Sequence, residues 1–288
     1  MKKKLAGFAV SFCLVLGAAS QASAIEVLWY GGSSTYNSSM SSLATTAASY
    51  DPWSDGNLSW DMTFWNAGDA TPDFSQYDVM VIGSPDYGFG TGITFDRLLA
   101  SKEAISEARG SRTFLSGQDA DWHAQYSEEG AVGFVIDAIN WAASGTGLGI
   151  VSMTDGWAGS GSMWWLDDDS FLKAELDGYV SYFQEESVVI PSGMETFPVN
   201  EGLTTDSLSN WGTSAHAGFD KTMPGYTSIN DAGSNSGWAV TIVTAGYEGG
   251  DTSGGDDDNN EVPEPATMLL FGTGLAGLAA SRRKNKAS

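Results

Sequence analysis

Four consecutive apolar residues, Val79-Met-Val-Ile82, stand between Tyr77-Asp78 and Gly83-Ser84-Pro85. A strand with no polar face must be covered on both sides, which selects a sheet with helices packed against it. The neighbouring segments fit that demand. Glu26–Tyr30 is a short apolar run ending at Gly31-Gly32, a strand and a turn. Ser38–Tyr50 carries Met40, Leu43 and Ala47 at helical spacing, and Leu58–Trp65 alternates like a half-buried strand. Phe95–Arg109 reads as a helix stopped by Gly110, Thr113–Leu115 as a short strand, Gly130–Ala143 as the clearest amphipathic helix, and Gly147–Met153 as the next strand. This order predicts an α/β fold with a mainly parallel open sheet and flanking helices, flavodoxin-like in outline. Farther on, Phe171–Phe183 reads as a helix. Trp238–Tyr247 reads as a late strand hairpinned to Tyr226–Ile229.

Both ends of the chain depart from this pattern. Lys2, Lys3 and Lys4 precede an apolar stretch from Leu5 to Ala18, and Ala22-Ser23-Ala24 offers small residues for cleavage. That is the layout of a secretory signal peptide, so residues 1–24 are expected to be removed by signal peptidase. At the other end, Pro263-Glu264-Pro265 is followed by an apolar run from Ala266 to Ala280 and then Arg282, Arg283, Lys284 and Lys286. As a helix the apolar run covers roughly 22 Å, short of a bilayer core of about 30 Å. Gly272, Gly274 and Gly277 weaken it further, which suits transient insertion in the inner membrane with the basic cluster left in the cytoplasm. Between the ends lie a body, residues 25–248, and a Gly/Asp-rich linker, residues 249–261, too polar to pack. The tail occupies residues 262–288.

Charge and cysteine content exclude several functions. All 36 acidic residues lie between Ile25 and Pro265, where the bases are Arg97, Lys102, Arg109, Arg112, Lys173 and Lys221. Such a surface repels nucleic acid and allows weak binding of divalent cations; no cofactor is expected. The single cysteine, Cys13, falls in the signal, so the mature body has neither disulfides nor a thiol nucleophile.

Pro263-Glu264-Pro265, the apolar run and the basic cluster together resemble a PEP-CTERM sorting tail. The resemblance implies recognition and cleavage by an exosortase, and delivery to the cell surface or extracellular matrix of a bacterium that makes extracellular polysaccharide. The same tail is known from some ice-binding proteins. A second likeness lies in the body. Tyr77–Ser84 resembles the strand before the oxyanion loop of class I glutamine amidotransferase-like domains, and Arg112–Asp119 resembles their strand-to-elbow segment. Gln118 or Asp119 stands where those enzymes place cysteine, so the resemblance implies the fold and not the reaction.

Asp119, Asp121 and His123 form a D-x-D-x-H cluster after a predicted strand, where open α/β sheets bind ligands. Two carboxylates and an imidazole suit general-base chemistry or a metal, although the same pattern serves as a turn capping a helix. His216 is the only other histidine and reads as a loop residue. Gly88-Phe-Gly90-Thr-Gly92 reads as a flexible loop. The chain has 11 tryptophans, most of them suited to core filling; Trp157, Trp164 and Trp165, set among Gly, Ser and Asp, suggest rings turned outward toward a sugar. These features favour a non-enzymatic envelope or biofilm-matrix protein associating with extracellular polysaccharide. The alternatives are a secreted hydrolase using Asp119, Asp121 and His123, and an ice-binding protein, which the lack of regular Thr-x-Thr repeats disfavours.

Overall fold

The computed structural model describes residues 24–52, 58–156 and 163–244. The chain falls into two units, Met1–Tyr247 and Glu248–Ser288. The signal, the linker and the sorting tail lie outside the described residues, as do Trp53 and Trp157.

A sheet of ten strands organises the body. Its first half is parallel. β1 (Ile25–Tyr30) lies between β2 (Trp60–Trp65) and β3 (Val79–Ile82), and β5 (Leu148–Ser152) lies between β3 and β4 (Arg109–Ser116). The order β2-β1-β3 is that of flavodoxin-like folds, with the last two parallel strands exchanged. β3 has all four residues fully buried, as a strand without a polar face requires.

Helices cover the two faces. α1 (Ser34–Ala47) begins at Ser33, whose Oγ accepts the Tyr36 N–H at 3.2 Å, and buries Tyr36, Met40, Leu43 and Ala47. α5 (Glu129–Ala143) touches α1 and packs on β3, β4 and β5. The connections β1-α1-β2 and β4-α5-β5 run in one direction across the sheet, and right-handed crossover sets both helices on one face. The connection from β3 to β4 runs the other way, through α2 (Asp96–Ala100) and α3 (Lys102–Ala108). The single helix expected over Phe95–Arg109 is thus two, broken at Ser101.

The second half of the sheet is antiparallel, so the sheet is mixed rather than mainly parallel. β10 (Trp238–Thr244) pairs with β9 (Tyr226–Ala232), the expected hairpin. The opposite edge of β10 serves two strands in turn. Thr241–Val243 pair with β4, and Trp238 and Ala239 pair with β8 (Ala215–Asp220). β8 therefore takes over the edge where β4 runs out. Gly117 occupies that junction, donating its N–H to Val240 O and accepting the His216 N–H, each at 2.8 Å. A Cβ at Gly117 would run into the Ala217 carbonyl.

β6 (Val180–Glu185) pairs with β8, and β7 (Val188–Val189) with β9. The helix expected over Phe171–Phe183 is confined to α6 (Lys173–Leu176). Gly178, at φ +83°, turns the chain into β6. Among the described residues no helix is long and apolar enough to cross a membrane.

Candidate functional site

The junction of β4 and β8 brings the chain's two histidines together. Beyond Gly117 the chain passes through Gln118 and Asp119 into α4 (Ala120–Ala124). His123 lies one helical turn after Asp119, and its Nε2 stands 3.5 Å from Asp119 Oδ1. His216, the second residue of β8, brings its own Nε2 within 3.4 Å of the same oxygen. Asp119 is 2 % exposed, and both histidines are buried. His123 Nδ1 faces Glu128 Oε1 at 3.2 Å. His216 Nδ1 is buried without a hydrogen-bond partner. Phe89 lies against His216, ring centroids 5.3 Å apart, and Trp211 against His123 at 5.2 Å.

Electrostatics divide the roles. Burial works to raise the Asp119 pKa, but the two imidazoles outweigh it and hold the carboxyl below its ordinary value. Burial works to lower the His123 pKa, and Asp119 with Glu128 overcomes it, so His123 sits above the usual histidine value. The pair thus favours the ionised form of Asp119 and the protonated form of His123.

Of the D-x-D-x-H cluster, only Asp119 and His123 belong to this site. Asp121 is two residues from Asp119, about 200° round the helix, and points into the core. It accepts the Tyr36 hydroxyl at 2.7 Å, the Ser84 N–H at 2.8 Å and the Ser84 hydroxyl at 2.6 Å. Burial raises its pKa despite these donors, and it fastens α1 and the loop after β3 to α4. His216 is a strand residue rather than the loop residue expected. Its sequence neighbourhood, Ala215-His-Ala-Gly-Phe-Asp220, shows no run of β-branched residues to announce a strand.

The turn itself differs from a nucleophile elbow. Asp119 has φ −89° and ψ 50°, and neither Gly117 nor Gln118 has positive φ. The strain that presents a nucleophile in such enzymes is absent, in keeping with the missing cysteine. Among the described residues no group of three or more His, Cys, Asp or Glu is placed to hold a metal ion.

Another buried carboxyl follows β5. Asp155 Oδ2 accepts the Trp165 N–H at 3.0 Å and the Tyr182 hydroxyl at 3.1 Å, while Oδ1 has no partner. Burial pushes its pKa up to about 7. Nothing in the sequence around Asp155 signalled this.

The outward tryptophans are a correction. Trp164 is 2 % exposed and Trp165 is fully buried. Trp165 packs on Phe219 and donates its Nε1–H to Ser152 Oγ at 2.9 Å; Trp164 packs on Phe95 and Phe171. A wide hydrophobic core without disulfides takes up these rings even where the local sequence is polar.

No curated protein and no solved structure matches the chain. Residues 261–284 match the family model of the PEP-CTERM protein-sorting motif, so the chain carries that sorting signal, which implies an exported protein anchored in the membrane before exosortase cleavage.

Proposed function

We propose that the body works outside the cytoplasm as a hydrolase whose general base is His216. The observation that supports this reading is the meeting of both histidines on one buried carboxylate oxygen. Asp119, held ionised 3.4 Å from His216 Nε2, favours the proton on that nitrogen and leaves Nδ1 as the basic lone pair. Nδ1 takes a proton from water as the water oxygen bonds to the substrate's electrophilic centre. The imidazolium then returns that proton to the leaving group as its bond breaks. His123, whose protonated form Asp119 and Glu128 favour, lowers the cost of negative charge developing nearby when it carries that proton. Phe89, flanked by Gly88 and Gly90, covers His216 and swings aside to admit substrate. We read the parallel half of the sheet as an amidotransferase-like frame, supported by the site's position after β4. Envelope polysaccharide is one substrate class consistent with export, but the association expected through outward tryptophans has lost Trp164 and Trp165 as its carriers.

The test is turnover of chromogenic esters and glycosides by purified full-length protein. Replacing His216 with alanine is expected to lower any activity by about 100-fold or more, with the fold retained by circular dichroism. Activity that survives in His216→Ala removes the proposal.

A further inference from the structure

The turn joining α4 to α5 puts a strained residue beside the Asp119 site. Among the described residues, two that are not glycine have positive φ, Ser127 at 62° and Asn210 at 63°. Each immediately precedes a residue that packs on His123. Glu128 Oε1 is 3.2 Å from His123 Nδ1, and the Trp211 ring centroid is 5.2 Å from that of the imidazole. A Cβ makes this backbone costly, so such residues persist where their surroundings hold them, and they collect at functional sites.

The bonds around Ser127 form a helix-ending motif. Ser127 N–H donates to Ala124 O at 3.0 Å, and Glu128 N–H to His123 O at 3.5 Å. These are the two bonds of a Schellman cap, with Ser127 in the left-handed position that glycine usually takes. The motif folds Glu128 back over His123, where such caps frequently place a hydrophobic contact. Here the contact joins a carboxylate to an imidazole. Glu128 also begins α5. Its carbonyl accepts the Val132 N–H at 2.9 Å, yet its side chain caps no N–H of that helix. The carboxylate is turned the other way, to His123. The groups facing the imidazole are Asp119, 3.5 Å from Nε2, Glu128 at Nδ1 and the Trp211 ring; His216 shares Asp119 Oδ1. A carboxylate at each ring nitrogen favours the imidazolium, which carries an N–H at both.

We propose that Ser127 is a positioning residue, whose left-handed backbone aims the Glu128 carboxylate at His123 Nδ1 and so completes a carboxylate–imidazole–carboxylate array beside His216. A turn that only ended α4 would leave His123 indifferent to Ser127. What the array does for catalysis rests on the hydrolase reading; the array itself does not.

The experiment follows the imidazole ring protons of the full-length protein by NMR through a pH titration, with His216→Ala telling the chain's two histidines apart. Glu128→Gln is expected to lower the His123 midpoint. Ser127→Val, whose β-branched side chain disfavours the left-handed backbone, is expected to lower it too, and the two changes together to lower it no further than Glu128→Gln alone. Ser127→Gly accepts that backbone freely and is expected to keep the wild-type midpoint. A wild-type midpoint in Glu128→Gln or in Ser127→Val, a lowered one in Ser127→Gly, or effects that add in the double variant would each overturn the proposal. Ser127→Thr repeats the test with a milder change where the valine variant does not fold. The readout is the ring's own titration, so this test and the hydrolysis assays fail independently.

Discussion

Asp119, His216 and Asp155 carry the account at the scale of single residues. If Phe89 shields His216, then Phe89→Ala should speed modification of His216 by diethyl pyrocarbonate several-fold, read by peptide mass; an unchanged rate would mean that Phe89 is not the cover. Asp155 makes a prediction about pH. Its folded-state pKa, about 7, lies above that of an exposed aspartate, so the native state holds the proton more tightly than the unfolded chain. Its contribution is complete below the unfolded value near 4 and disappears as pH rises through about 7. The gap corresponds to at most roughly 4 kcal/mol. Asp155→Asn should therefore flatten the fall in urea midpoint between about pH 4 and pH 7. Parallel profiles for variant and wild type would contradict the assignment. His123, also raised, adds stability that is full below about 6.5 and disappears as pH climbs through its own folded value.

Between elements, the handover from β4 to β8 along one edge of β10 creates the site. Gly117→Ala would push a methyl into the Ala217 carbonyl and is expected to cost about 1–3 kcal/mol, measured by chemical denaturation, while separating His216 from Asp119. A neutral effect would mean that the junction is looser than the backbone bonds of Gly117 imply. This is also where the sequence stopped being readable. β1, β3 and β5 announce themselves because a strand covered on both faces carries a run of consecutive apolar residues. β8 does not. Its pairing with β10 and β6 is tertiary, and its second residue is a histidine held for a partner 97 positions away in the chain. Asp119 and His123 were visible as an i, i+4 pair, but the same spacing drew in Asp121, which only the helix rotation and the Tyr36 and Ser84 donors assign to the core. The Phe171–Phe183 segment misled for a related reason. Its apolar residues serve first a short helix and then a strand, divided at Gly178.

For the whole molecule, export frames the chemistry. A body with 30 acidic residues and six basic ones, in a chain whose lone cysteine is confined to the expected signal, can do without disulfides because the sheet buries a continuous apolar core on both faces. The sorting motif at residues 261–284 implies that the exported protein is held at the membrane before exosortase cleavage. Replacing Pro263, Glu264 and Pro265 by alanine should leave the protein in the membrane fraction at its unprocessed size, seen by blotting of fractionated cells. The most direct measurement is the intact mass of the native protein recovered from its own cells. The expected species starts at Ile25 and ends close to Pro265, and it is found outside the cytoplasm. A cytosolic species that still runs from Met1 to Ser288 would contradict the account.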